Sequence, residues 1–527
     1  MSHNSISIVS LGNTRKDYPF FMNWLYLTSP GIHYLRTALE LNGIKTVLID
    51  KVDKNLTTDE IIQILQNINP EIILFNQFYS TREEIKQICI SFPKNAIRGI
   101  GGHDATFHSM TLSENEFSQQ YSHADFVWQG EIENGFASFI RNFQKKDSPV
   151  CVNNINNRVQ DLNDLPVLKH DNYTSELAFL VTSRGCMSGG CDFCTTPNFY
   201  HDGWRSRSVA HVSHELRNIK ASGRFHINIT DDNFLGLGEK DLMRGVDIIR
   251  RCGEEGLKLF IMTSVEQIVK ADRLGLLKEF KGTVIKVFLG VENFNPSALR
   301  KLGKKVDIEN HTYNSLSALN ELYDNGISPH LGYINFNPET SCDEIEHSAH
   351  FLHQHNHEAS LFNYFYTKMG IFEGTKHHER YTGRKDCIDF HGGNYSYEFH
   401  DRNTAAVFAL LTMVLDHARL IDFLHFEATH LLYMNQLAET SAGKKYIELK
   451  KRSSEQNYEF FINALEISRK RGSLNVILDL IDDYKRKTRR MIPDYKKLIQ
   501  QIVGISTHIL REPLAYMDKI DTGESWQ

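Results

Sequence analysis

Two periodicities alternate along the first 130 residues. Short apolar runs of four to seven residues, Ser5 to Leu11, Val47 to Asp50, Glu71 to Phe75, Ala96 to Ile100 and Asp125 to Trp128, have the length and continuity of strands buried on both faces. Between them lie stretches with helical spacing. Pro30 to Gly43 places Ile32, Leu35 and Leu39 on one face and stops at Gly43, and Thr57 to Ile68 and Arg82 to Ser91 follow. This alternation predicts a parallel, doubly wound, Rossmann-like sheet with helices on both faces and ligands at the carboxyl ends of its strands.

A second series begins near residue 177. Ala178 to Thr182, Ile227 to Thr230, Lys258 to Thr263, Val284 to Gly290, Leu331 to Phe336 and Leu361 to Thr367 read as strands. Amphipathic helices separate them, such as the one capped by Ser208 with the stripe Val209, Val212, Leu216 and Ile219. The series suits a partial (β/α)6 barrel, whose functional groups collect at the carboxyl ends of its strands. After Tyr397 only helical patterns persist: Thr404 to Met434, Gln456 to Lys470, Asn475 to Lys487 and Asp494 to Leu510. The expected division is a Rossmann-like domain at 1–148, a linker at 149–176 containing Leu-Pro and several asparagines, a barrel at 177–385 and an all-helical domain at 386–527.

Composition narrows the class. A chain of 527 residues is too long for one core. Hydrophobic content of 41%, charged content of 24% and a net charge of −6 give no electrostatic case for nucleic acid or a membrane surface. The longest apolar run, Ala405 to Leu415, is too short to span a bilayer, and the first residues lack the pattern of a signal peptide. Cys89, Cys151, Cys252, Cys342 and Cys387 are scattered, as buried thiols in a reducing cytoplasm would be.

The other three cysteines, Cys186, Cys191 and Cys194, fall within nine residues just after a strand. Four thiolates close a metal site, whereas three leave a position open for chemistry. Spacing alone permits a structural zinc site with His201 as fourth ligand, or a [4Fe–4S] cluster with one iron free. Phe193 would shield a cluster from water. The histidines at 347, 350, 353, 355 and 357 lie along an amphipathic helix and its end, where a solvated face explains them without a metal.

The loop Cx4Cx2C, with an aromatic before its last cysteine, resembles the radical SAM superfamily, in which three cysteines hold the cluster and the fourth iron binds S-adenosylmethionine (SAM). The usual loop is one residue shorter, and Gly189-Gly190 sits where the extra residue must be absorbed. Asp231-Asp232-Asn233-Phe234, Val284 to Val291 running into Glu292-Asn293, His330 to Pro338 with Glu339-Thr340, and Gly374-Thr375 resemble later family segments, in order. The resemblance implies SAM contacts from Asp231, Ser264 and Glu292. Trp204-Arg205-Ser206-Arg207 matches a stretch often found after the cluster loop, where a cation faces either SAM or neighbouring acids.

The N-terminal motifs, P-G-I-x-Y-L-x-x-x-L-E-x-x-G, G-G-H-D-A-T at 101–106 and D-F-V-W-Q-G-E at 125–131, resemble the cobalamin-binding domain of one radical SAM subfamily. This resemblance implies that Asn76, Tyr79, Gly101, Gly102, His103, Thr106, Gly130 and Glu131 line a cobalamin site. The D-x-H-x-x-G motif is absent, so no histidine is expected below cobalt, and His103-Asp104 replaces the usual Pro-His after the two glycines. A methylthiotransferase is excluded because only Cys89 precedes the core region.

By resemblance, the activity is formation of a 5′-deoxyadenosyl radical from SAM, followed by methylation of an unactivated carbon in a small molecule. Rearrangement, cyclisation or oxidation without methyl transfer is the alternative, and a non-catalytic cobalamin- or zinc-binding regulator the remote one. The implied partners are the substrate and a reductant such as flavodoxin or ferredoxin. No nucleic acid and no membrane are expected.

Overall fold

The computed structural model describes residues 6–12, 29–92, 95–171, 173, 177–186, 190–201, 203–355, 361–382, 387–391 and 394–505. These form two compact units, one drawn from residues up to 236 together with 370–396, the other from 237–369 and from 397 onward.

The first unit opens with six strands: β1 (Ile6–Ser10), β2 (Thr46–Asp50), β3 (Ile72–Asn76), β4 (Ile97–Gly101), β5 (Phe126–Gln129) and β6 (Val150–Asn153). Their order is β2-β1-β3-β4-β5-β6, and every pairing is parallel. The order reverses between β1 and β3, the switch point at which doubly wound sheets bind ligands. Alternate strand residues feed two cores. Val9, Ile73, Phe75, Ile100 and Val127 pack on one face, and Ile6, Ile8, Leu74, Phe126 and Trp128 on the other. β6 departs from expectation, since its residues read as part of the linker at 149–176. A four-residue edge strand of alternating exposure carries little signal of its own and is specified by its register on β5.

The remaining strands of this unit are β7 (Leu177–Leu180), the two-residue pair β8 (Ser183–Arg184) and β9 (Arg205–Ser206), and β10 (His226–Ile229), parallel to β7. The second unit contributes β11 (Lys258–Ser264), β12 (Val284–Glu292) and β13 (Ser328–Tyr333), all parallel, with a bulge between Gly290 and Glu292. A two-stranded ribbon, β14 (Cys387–His391) and β15 (Asn394–Tyr397), belongs to the first-unit segment and its boundary.

Leu361 to Thr367, expected as a sixth barrel strand, instead contains a helix, Phe362–Tyr366. The Asp422 carboxylate, from a helix sixty residues later, accepts the backbone N–H groups of Phe362 (2.8 Å) and Asn363 (2.9 Å), capping the helix in space rather than in sequence. Only Lys368 retains a strand-like bridge, to Phe336. After the ribbon β14–β15, which departs from the expected all-helical domain at 386–527, the C-terminal region is helical as expected, its four helices among the described residues differing in their bounds. Ser441–Lys470 is one helix, and Leu474–Ile505 runs through Pro493, held by the buried Met491, Tyr495, Leu498 and Ile499. Among the described residues no helix is long and apolar enough to cross a membrane.

Candidate active site

The cysteine loop begins at a chain reversal that only glycine permits. Gly185 has φ +88°, and a Cβ there would lie 2.0 Å from the Gly203 carbonyl oxygen. Cys186, Cys191 and Cys194 follow, each half-buried. The Cys194 N–H donates to the Cys191 carbonyl (3.1 Å), and burial pushes the Cys194 thiol up despite a hydrogen bond from Thr196. Gly190 has φ +36°, and a Cβ on it would collide with Pro197. Gly189 lies outside the described residues. Among those described, no three His, Cys, Asp or Glu side chains are gathered closely enough to hold a single metal ion. A polynuclear cluster takes one thiolate per iron, and the half-buried Cys186, Cys191 and Cys194 supply three. His201 is exposed with φ +40° at the end of the helix Thr196–Tyr200.

Two adjacent aspartates at the end of β10 divide the work beneath this loop. Asp231 is buried and accepts the Thr182 N–H (2.6 Å), the Thr182 hydroxyl (2.5 Å) and the Ser183 hydroxyl (2.7 Å), closing the end of β7 onto the end of β10. Asp232 instead faces a cavity of about 550 Å³. It accepts the Thr196 hydroxyl (3.0 Å) and the Gly185 N–H, and burial pushes its carboxyl up to about 6.

That cavity lies wholly within the first unit and is lined also by the loops after β3, β4 and β5, including Asn76, Tyr79, Gly101, Gly102, His103 and Gly130. Gly102 has φ +109°, and a Cβ would sit 2.2 Å from Asn76 Oδ1, so bare backbone is required where the strand ends meet the cavity. His103 stacks on Phe199 with centroids 3.7 Å apart, and burial lowers its imidazole to about 4, leaving it neutral. Thr106 does not reach the cavity. Its hydroxyl accepts the Gly130 N–H (3.1 Å) and donates to the Gly102 carbonyl (2.9 Å), tying two glycine turns together. Glu131 lines the cavity but is engaged by Arg205 (2.6 Å), Arg184 (3.3 Å) and the Val159 N–H (2.9 Å). Burial opposes its ionisation, yet these arginines hold the carboxyl below its ordinary range.

The Trp204 to Arg207 stretch pairs with internal acids. Arg205 meets Glu131, and fully buried Arg207 meets Glu215 (2.8 Å) and the Val181 carbonyl (2.7 Å). Sequence reasoning missed Arg82 and Glu373, both on the cavity wall. Arg82 binds Asp104 through two nitrogens (2.8 and 2.5 Å) and Glu373 (2.6 Å), while Glu373 also meets His108 Nδ1 (3.0 Å). Asp104, inside the G-G-H-D motif, is the sequence signal for this group; Arg82 meets Asp104 and Glu373 across 22 and 291 positions, separations with no local signature.

In the second unit, Ser264 ends β11 opposite Gly290 and stands at the N-cap of the helix Val265–Arg273. Glu292 ends β12 with φ +64°, a strained conformation for a non-glycine residue, and pairs with Lys304 Nζ (2.7 Å). The helix Cys342–Gln354 carries His347, His350 and His353. His353 stacks on Tyr458 with centroids 4.0 Å apart and His350 bonds its hydroxyl (2.8 Å); His357 lies outside the described residues.

Residues 180–352 match the family model described as the Radical SAM superfamily, so the chain carries a radical SAM domain. Its fold is similar to that of the cobalamin-dependent S-adenosylmethionine radical enzyme OxsB. The OxsB structure with aqua-cobalamin bound aligns with a TM-score of 0.69 over 98% of this chain and 84% of that one, at 16% identity. The form with aqua-cobalamin and S-adenosylmethionine bound aligns at 0.68 over 98% and 83%, also at 16% identity. The radical S-adenosylmethionine methyltransferase TsrM from Kitasatospora setae, with tryptophan substrate and a SAM analogue bound, aligns at 0.51 over 67% of this chain and 72% of that one, at 14% identity. No curated protein matches the sequence.

Proposed function

We propose that this chain is a cobalamin-dependent radical SAM enzyme that methylates an unactivated carbon of a small-molecule substrate, a natural-product or cofactor precursor. The observation that carries the reading is the single cavity lined both by the glycine turns of the Rossmann-like sheet and by Thr195 and Asp232 beside the cysteine loop. Cys186, Cys191 and Cys194 would hold the [4Fe–4S] cluster, and Asn76, Tyr79, Gly101, Gly102, His103 and Gly130 would border cobalamin. Asp231, Ser264 and Glu292 remain proposed for the SAM site, Asp231 by fixing the strand ends rather than by touching the ligand.

When bound, the cluster supplies the electron that cleaves SAM, and methylcobalamin supplies the methyl group. The residues of this chain position and exclude water. Phe78, Tyr79, Phe107, Phe199 and Phe372 give the cavity an apolar wall suited to radical chemistry, and Asp232 presents a carboxylate beside the cysteine loop. A flavodoxin- or ferredoxin-like reductant, a cytoplasmic location and the domain division at 148, 176 and 385, with the first boundary moved past β6, belong to the same proposal.

The test is anaerobic reconstitution with iron, sulfide, cobalamin and SAM, followed by product analysis. S-adenosylhomocysteine together with 5′-deoxyadenosine is expected. 5′-Deoxyadenosine alone would replace methylation by a rearrangement, cyclisation or oxidation, and about one zinc per chain without iron would end the enzymatic reading.

A further inference from the structure

The segment after the helix Phe362–Tyr366 returns to the carboxyl end of the strands in the second unit. The Asn335 and Phe336 N–H groups donate to the Thr367 carbonyl (3.0 Å each), the Met369 N–H donates to the Phe336 carbonyl (2.7 Å), and Lys368 bridges Phe336 in parallel. This is the edge on which Glu292 sits, since its carbonyl accepts the Ile334 N–H (2.7 Å). Lys368 therefore stands at the strand ends where barrels of this kind hold their reactants.

Its surroundings are unusual for a lysine. The ammonium lies 3.8 Å from the Tyr397 ring centroid and 5.5 Å from those of Phe399 and Phe408. Its hydrogen bond, to the Tyr397 carbonyl, is long at 3.5 Å. Among the described residues no carboxylate pairs with it, and desolvation alone depresses its ionisation. Three aromatic faces stabilise a cation, but an ammonium has three N–H donors, and most of that capacity is unused here. Were the cage only a packing device, a methionine would fill it without desolvating a charge.

We propose that Lys368 receives an anionic group of the substrate, a carboxylate or a phosphate. The aromatic rings hold the ammonium at the strand ends and keep water from it. The bound anion completes the hydrogen bonding and the charge balance that the protein leaves open. This assignment rests on the functional reading above and narrows its substrate class to small molecules bearing at least one such group.

Competitive acetylation tests it on the full-length protein under anaerobic conditions. Limiting acetic anhydride, quantified by peptide mass spectrometry, is applied in sodium chloride, sodium phosphate or sodium succinate of equal ionic strength. With the surface lysines as internal standards, labelling of Lys368 in chloride is expected to fall several-fold in phosphate or in succinate; which anion protects distinguishes the two ligand chemistries. Equal labelling in all three salts would overturn the proposal. Thermal melts of Lys368→Met give a second reading. The variant is expected to melt with the wild type in chloride and to lose any rise produced by the protecting anion, whereas a large loss of stability in chloride would make the cation structural and overturn the assignment. Cluster absorbance and SAM cleavage in the wild type test the functional reading separately, and their failure with protection intact would leave the anion site standing.

Discussion

Asp231 accepts both the backbone N–H and the hydroxyl of Thr182, at 2.6 and 2.5 Å, so that one carboxylate fastens the end of one parallel strand to the end of the next. The neighbouring Asp232 is left to face the cavity. Removal of the Asp231 carboxylate strands three buried donors, so Asp231→Ala is expected to cost about 2–4 kcal/mol in denaturant titration. Asp232→Asn is expected to leave the unfolding transition nearly unchanged while weakening SAM binding, measured by equilibrium dialysis. Equal destabilisation by both substitutions would refute this division of roles.

Gly190 lies against the side of Pro197 and carries positive φ, so a side chain there has no room. Gly190→Ala is expected to fold, judged by circular dichroism, yet to incorporate much less iron on reconstitution. Cys191→Ala is expected to abolish both cluster absorbance and 5′-deoxyadenosine formation.

Gly102 is pressed against Asn76 Oδ1 where the strand ends border the cavity. A methyl group there must displace Asn76, so Gly102→Ala is expected to lose most cobalamin binding, read from the absorbance of protein-bound corrinoid after gel filtration. Retention of cobalamin by the variant would move the cofactor away from these turns.

Two buried carboxylates predict opposite pH dependence. Although burial opposes it, His108 and Arg82 hold Glu373 at about 2. Its folded value is depressed, so its contribution to stability is present above the ordinary value near 4.5 and fades as pH falls toward 2. Glu373→Gln is expected to flatten the acid limb of a stability–pH curve.

Burial pushes Glu427 up to about 8, with Lys286 only partly opposing. Here the folded value is raised, so the contribution is complete below about 4.5 and is lost as pH rises through 8. At about 1.4 kcal/mol per pH unit this is several kcal/mol at most. Glu427→Gln is expected to stabilise the protein at pH 9 relative to pH 5 in paired denaturant titrations, and an unchanged pH profile would show that the folded carboxyl ionises normally.

The sequence by itself determined the parallel Rossmann-like sheet, the strand series after it, the cysteine loop and the helical C-terminal region. These follow from local causes: the spacing of apolar residues, glycines at forced turns, and three thiols within nine residues. Tertiary structure decided what local spacing does not encode. Leu361 to Thr367 has the aromatic content of a strand and contains a helix because Asp422 caps it from a distant segment. Of two adjacent aspartates, the register of β7 on β10 chooses which is consumed internally and which faces the cavity. Arg82 and Glu373 become partners across 291 positions, and Lys368 acquires its cage from residues 29 to 40 positions later, since contacts of that range exist only once the chain has closed on itself.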